Sequence, residues 1–181
     1  MKITSIDSIL HQNNTKVVVI GIGTGGSSIA QRASDRSLSA DLEYHYCDEP
    51  NGCKNDPDMG RSLALKMLPT LDKIIIDGAR KVILLSTLGG GTGSGATPVI
   101  AKHFVDNGIA LHCVVSLPFE FEGEVRFANA TAAAIELLNV AVSTRVVNLS
   151  NYAKVCNPDE EFRTFMDKID MVLIKEIESL V

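Results

Sequence analysis

The chain has no tryptophan and only 5% aromatic residues in its 181. It is therefore poor in the stacking platforms on which single-stranded nucleic acid is held. It also lacks a basic surplus, since 17 Lys and Arg stand against 22 Asp and Glu for a formal net charge of -5, the wrong sign for a phosphate backbone. No nucleic-acid partner is expected. No apolar run approaches the ~20 residues of a membrane-spanning helix, and the opening MKITSIDSILHQNNT lacks the basic start and long apolar stretch of a secretory signal. The sequence thus points to a cytoplasmic protein with no membrane partner. The four cysteines (Cys47, Cys53, Cys113, Cys156) form no C-x-x-C pair and the four histidines are scattered, so neither a disulfide framework nor a metal site is indicated. Cys47 and Cys113 lie in or beside apolar runs, where a small buried thiol is the ordinary reading. The P-loop sequence, G-x-x-x-x-G-K before Ser or Thr, is also missing.

What remains is one globular domain's worth of chain, 45% hydrophobic, in which runs rich in Val and Ile alternate with longer helical patterns. That alternation predicts an α/β fold, a Rossmann-like three-layer sandwich with a mostly parallel sheet. Strands are expected at Lys16 to Ile20, at LEYHYC ending near Asp48, at Lys81 to Ser86, at Ile109 to Ser116 and at Thr144 to Leu149. A helix is expected from about Ser27 to Ser37. EPNGCKNDPD reads as a loop, followed by a helix that starts near Pro57 or Asp58 and runs towards Asp77, kinked or split at Pro69. A third helix, PVIAKHFVDNG, is closed by Gly108, and an alanine-rich helix runs to about Asn139. From Pro158 to Leu180 apolar residues recur at helical spacing and predict one long amphipathic helix, with Met171 and Ile174 expected to lie exposed.

Two glycine runs sit between a strand and a helix. GIGTGG satisfies G-x-G-x-x-G through Gly21, Gly23 and Gly26, so backbone amides and a helix N-terminus can hold phosphate. The second run, Gly89-Gly90-Gly91-Thr92-Gly93-Ser94-Gly95, occupies the same kind of position. Glycine permits positive φ and close approach to a ligand, and Thr92 and Ser94 add hydroxyl donors. Two phosphate cradles on neighbouring strand ends imply one polyphosphate. The bland alternatives are a tight turn for the first run and a flexible linker for the second. The first run alone also suits a dinucleotide-binding Rossmann turn, with Asp48 or Glu43 on the ribose.

The run Gly-Gly-Gly-Thr-Gly-Ser-Gly resembles the signature of the tubulin and FtsZ superfamily, and from Lys16 onward the chain looks like a bacterial FtsZ nucleotide-binding domain. GIGTGGSS resembles the family's first glycine loop, with Ser27 and Ser28 where an Asn is usual. NDPDMGR and PFEFEGEVR resemble two further family segments. The resemblance implies a nucleotide site built from Gly23, Thr24, Gly25, Gly26, Ser27, Ser28 and from Gly89 through Gly95, namely Gly89, Gly90, Gly91, Thr92, Gly93, Ser94 and Gly95. It places Glu122 at the ribose hydroxyls, Arg126 by the phosphates, Asn151 and Asp170 on the guanine, and Met166 under the base. Taken singly, Glu122 and Arg126 also read as a surface i,i+4 ion pair, and Asp170 as solvated helix surface.

The implied cofactor is GTP or GDP, with Mg2+ carried through the phosphates. The implied organisation is a lead segment over 1–15, a GTP-binding domain over 16–157 and a terminal helix over 158–181, without the family's second domain and catalytic loop. Little or no hydrolysis is then expected. The chain would act as an interaction or filament-capping module whose partner is a full-length FtsZ-like protein or its own copies. The alternatives are a fragment of a polymerising GTPase and a Rossmann NAD(P)-dependent enzyme.

Overall fold

The computed structural model of the chain describes residues 16–36, 42–47, 52–155, 157 and 159–181. The expected lead segment 1–15 and the positions of Ser37, Asp48, Cys156 and Pro158 lie outside them. Five strands, β1 (Val17–Ile22), β2 (Leu42–Cys47), β3 (Lys81–Thr87), β4 (Ala110–Leu117) and β5 (Ser143–Asn148), form one sheet in the order β2-β1-β3-β4-β5. Every pairing is parallel. Among the described residues six α-helices accompany them: α1 (Gly23–Asp35), α2 (Pro57–Ile76), α3 (Gly91–Asp106), α4 (Glu124–Val140), the short α5 (Leu149–Ala153) and α6 (Phe162–Glu178).

Parallel strands buried on both faces need apolar side chains on both, and β1 supplies them alternately. Val18, Ile20 and Ile22 face the core beneath α2, α3 and α4, with Leu71, Ile100, Phe104 and Leu137. Val17 and Val19 face the core under α1 and α6, with Ile29, Ala33, Ile169, Leu173 and Ile177. The chain direction reverses across the sheet between β1 and β3, and in such sheets the crevice at the carboxyl ends of the strands where the order reverses is the ligand position.

Four expectations need correction. Both glycine runs pass directly into helices, α1 beginning at Gly23 and α3 at Gly91, which places Pro98 inside α3. α2 is continuous across Pro69 rather than split there, because burial of Ala64, Leu71 and Ile74 in the core offsets the one hydrogen bond a proline removes. The two positions of α6 expected to be exposed are covered, Ile174 being 1% exposed and Met171 half-buried. The short helix α5 was not anticipated. Gly108, at φ 75, does end α3, and Cys47 and Cys113 are buried, which pushes their thiols up to about 11 and about 12.

Candidate nucleotide site

At the reversal point the ends of β1 and β3 deliver α1 and α3 side by side. Gly23, at φ 72, makes the turn from strand into helix, and a Cβ placed on it would lie 3.5 Å from Gly93 N. The two helix N-termini therefore share one recess of about 240 Å³. Its lining includes Gly23, Thr24 and Gly25 of α1, Gly90, Gly91, Thr92 and Gly93 of the second run, and Arg126 of α4. Neither N-terminus has a side-chain cap or an acidic residue in its first turn. The first four amides of a helix have no partner within it, and they carry the positive end of the helix dipole.

The glycines differ in what they are for. Gly21 and Gly26 bring α1 against the sheet, since a Cβ on Gly21 would sit 2.6 Å from Gly26 O and one on Gly26 would meet Leu85 O. Gly91 and Gly95 instead bring α3 against α2: their Cβ atoms would overlap Cys53 O and Pro57 O, and a Cβ on Gly60 would overlap Gly91 O. Gly89 takes φ 111. Within the two glycine runs only Gly90 faces open space, its nearest obstacle being Asn55 Oδ1 at 3.9 Å.

The hydroxyls divide likewise. Ser94, 2% exposed, accepts the Gly89 N–H at 2.7 Å, so it braces the second run rather than lining the recess as a donor. Ser27 donates to Gly21 O at 3.2 Å and Thr97 to Gly93 O at 2.6 Å. Thr92 does line the recess, and Ser28 is exposed beside it on α1.

PFEFEG forms a single 3-10 turn, Glu120–Glu122, ahead of α4. Glu122 Oε1 accepts the Phe119 N–H at 2.9 Å, and its Oε2 lies 3.2 Å from Arg126 Nε. The pair is thus the i,i+4 pair read from the sequence. Arg126 Nε is nevertheless buried and misaligned for Glu122, with no hydrogen-bond partner among the described residues. The Glu120 N–H donates to Ser150 Oγ at 2.8 Å, and the Phe119 and Phe165 rings are tilted together at 6.0 Å. These contacts bring α5, with exposed Asn151, and the start of α6, with half-buried Met166, alongside the turn.

Asp170 lies elsewhere. It lines a second recess with Arg32, Asp35 and Asp167 along α1. Arg32 spans Asp167 at 2.6 Å and Asp170 at 2.9 Å. Burial pushes the Asp170 carboxyl above its ordinary value, against the pull of Arg32. Glu43, the alternative ribose ligand, has both oxygens engaged by Lys16 and His45 at 2.5 Å.

Gly52, Cys53 and Thr87 line the recess without having been singled out from the sequence, and so do two residues of unusual backbone, Lys54 and Asn55. They stand at φ 45 and 61, the only positive-φ positions other than glycine among the described residues. The cluster Asn-Gly-Cys-Lys-Asn-Asp-Pro was the available signal, because Asn tolerates that region. No carboxylate lines the recess, and no group of His, Cys, Asp and Glu suited to a metal occurs among the described residues.

Uncapped amides from two helices, the Arg126 guanidinium and the open space at Gly90 together fit a polyphosphate anion. The fold and recess define a doubly wound nucleotide-binding domain. Residues 44–157 match the Tubulin/FtsZ family, GTPase domain, and the chain belongs to that family. It is 28% identical over 193 residues to cell division protein FtsZ 1 of Archaeoglobus fulgidus, covering 95% of this chain and 52% of that protein. It is 33% identical over 186 residues to the FtsZ of Caulobacter vibrioides, covering 91% and 36%. The chain thus spans about half or less of these relatives. Its fold is similar to that of an FtsZ dimer from M. jannaschii (TM-score 0.84, 22% identity, 98% of this chain and 59% of that one). It is also similar to CetZ2 from Haloferax volcanii in a GTPγS-bound protofilament (TM-score 0.78, 18% identity, 92% and 58%).

Proposed function

We propose that this domain binds a guanine nucleotide, GTP or GDP, with the phosphates across the N-termini of α1 and α3 and beside Arg126. The observation that carries the reading is that two uncapped glycine N-termini open into one recess beside the Arg126 guanidinium, whose Nε ion-pairs with Glu122 without a hydrogen bond. The nucleoside would lie towards the PFEFEG turn, with Glu122 on the ribose, and Asn151 and Met166 near the base. Asp170 would read the guanine edge only by giving up Arg32. Any Mg2+ would ride on the phosphates, since the recess lining offers no carboxylate. Among the described residues the recess lining offers no carboxylate or histidine to orient an attacking water, and the reading includes slow hydrolysis at most. The bound nucleotides named for CetZ2 and for a GDP-bound CetZ1 support the choice of guanine.

Calorimetric titration with GTP, GDP, ATP and NAD tests this, with Gly90→Asp as the control variant. Gly90 already has the extended N-cap conformation (φ -83, ψ 168), so aspartate there can cap α3 itself while placing a negative charge where phosphate would bind. Saturable binding of GTP and GDP that weakens at least ~100-fold in the variant is expected, with thermal stability retained. NAD binding, or unchanged GTP affinity in the variant, would overturn the reading.

The recess face also carries exposed Phe121 and Val125, 75% and 69% accessible, flanking Glu122. On that ground the proposal extends to association through this face with a full-length FtsZ-like protein or another copy, the chain acting as an interaction or capping module in cell division or the cytoskeleton. Failure of the nucleotide-loaded chain to co-sediment with such a polymer or alter its length would exclude capping.

A further inference from the structure

α4 is the outermost helix of its layer, packed against α3 on one side and lying beside the edge strand β5 on the other. Its inner side is set by Ala130, Ala133, Ala134 and Leu137, all buried. The opposite side carries Val125, Ala128, Ala132, Ile135 and Asn139, all exposed, at alternating steps of three and four residues. That spacing makes one continuous stripe, the kind of seam along which two helices interdigitate. Val125 and Ile135 are 69% and 54% accessible, and Leu138 at 58% broadens the lower half. On a chain of net charge -5 the stripe carries no charged side chain, so a second copy can approach it without the repulsion met elsewhere on the surface. Exposed apolar area gathered in this way marks a contact surface.

The stripe is complementary to itself in one orientation. Laid antiparallel about a two-fold axis between Ala132 and Ile135, two copies set Ile135 of each over Ala132 of the other, and Asn139 over Ala128, so that a larger side chain meets a small one at each layer. In that register the helices overlap along their length, and Val125 reaches the far end of the facing helix, where Val142 is 70% accessible. A parallel pairing would set Ile135 on Ile135 and leave the alanines facing each other across a gap. The flanking Glu136 is neutralised within its own chain by Arg61 at 2.5 Å. We propose that the outer face of α4 is a self-association surface on which two copies of this chain pair antiparallel, centred at Ala132 and Ile135 rather than on the recess face. With 17 residues the helix is about 26 Å long and about 10 Å across. Its footprint of roughly 260 Å² per copy is well below the ~800 Å² a side of a standard stable interface. The pair is therefore weak and forms at high local concentration.

Sedimentation equilibrium of the nucleotide-free chain, from about 10 μM to about 1 mM, tests this in wild type, Ile135→Lys and Ile76→Lys. Both substitutions put lysine on an exposed isoleucine, Ile76 being 79% accessible at the end of α2, but only the first places charge at the two-fold axis. Wild type should show a monomer–dimer equilibrium with Kd on the order of 0.1 mM. The equilibrium should weaken at least ~30-fold in Ile135→Lys and change less than ~3-fold in Ile76→Lys, with thermal melts checking that each variant folds. Orientation is read by oxidative cross-linking in a Cys156→Ser background, Cys47, Cys53 and Cys113 being buried. A mixture of Ala128→Cys and Asn139→Cys should form a disulfide that neither variant forms alone. A wild-type chain wholly monomeric at about 1 mM, a dimer indifferent to Ile135→Lys, or one weakened equally by Ile76→Lys would overturn the proposal. Cross-linking of Asn139→Cys with itself as readily as with Ala128→Cys would overturn the antiparallel pairing. None of these readouts involves nucleotide, so this proposal and the nucleotide reading fail separately.

Discussion

Among the helices that start at the carboxyl end of this sheet near the recess, α1, α2 and α3 start in two different ways. α2 closes itself: Asp56 accepts the N–H groups of Asp58 at 2.9 Å and Met59 at 3.4 Å, with Pro57 in the first turn, where a missing N–H costs nothing, and Asp58 against the dipole. α1 and α3 have no cap, no acid and a glycine at their first position. The stable choice for an isolated helix is the first arrangement. That the fold makes the opposite choice at both strands flanking its reversal point locates the ligand better than the shape of any one cavity, and the larger recess along α2 is lined by Asp56 and Asp58, an unsuitable pair for phosphate.

The two arrangements are mechanically joined, because α3's open end rests on α2's closed one. A Cβ on Gly95 would run into Pro57 O and come within 2.9 Å of Arg61 N, both backbone atoms that cannot rotate away. Gly95→Ala is therefore the most damaging single change expected in the site region. It should cost about 3 kcal/mol through overpacking, well beyond the ~1 kcal/mol that alanine gains over glycine within a helix. Urea denaturation measures it, and a variant as stable as wild type would show that α2 and α3 can separate without loss.

Removing the cap tests the comparison more finely. Asp56→Ala strips α2 of its N-terminal acceptor and should cost about 1 kcal/mol of stability. It should leave nucleotide affinity within about threefold, because the Asp56 carboxylate serves amides of α2 and the phosphate amides belong to α1 and α3. The Gly90→Asp change has the reverse profile, with stability kept and affinity lost. If Asp56→Ala weakened nucleotide binding as severely as Gly90→Asp, the division between a structural and a functional helix end would not hold.

This division explains what the sequence could and could not reveal. Val- and Ile-rich runs announced the four strands other than β2, whose LEYHYC has neither residue, because burial on both faces demands them, and the glycine runs were legible as a site because a glycine run rarely follows a buried strand without reason. The individual glycines were not legible. Gly91 and Gly95 are small for the sake of Pro57 and Cys53, more than thirty residues away, and no local spacing carries that information. For the same reason the runs read as loops: glycine is the poorest helix former after proline, yet here tertiary contact with the sheet and α2 overrides propensity. Glu122 and Arg126 were found because i,i+4 spacing is local. Lys54 was missed because its position depends on Asn129, which lies across the recess.

On the far side of α1 from its N-terminus, Asp170 offers the smallest of these effects and a different kind of test. Its carboxyl is raised above the ordinary 3.8, first by burial and further by Asp167, with Arg32 opposing. A raised carboxyl pKa means that the folded state holds the proton to higher pH than the unfolded chain. Its contribution to stability is complete below the unfolded pKa and is lost as pH rises through the folded one. Glu43 runs the other way: Lys16 and His45 lower its pKa, so its contribution is present above the ordinary 4.5 and is lost as pH falls. Asp170→Asn removes the first dependence and leaves the second, while Arg32 keeps Asp167 at 2.6 Å. The variant should therefore gain on wild type as pH rises from about 4 to about 7, by no more than about 1 kcal/mol for a partly solvated group. Thermal melts across that range measure the difference. A gap that instead widened in favour of wild type with rising pH would mean that the Arg32 pair outweighs burial, and that Asp170 is held too firmly to be released to a guanine base.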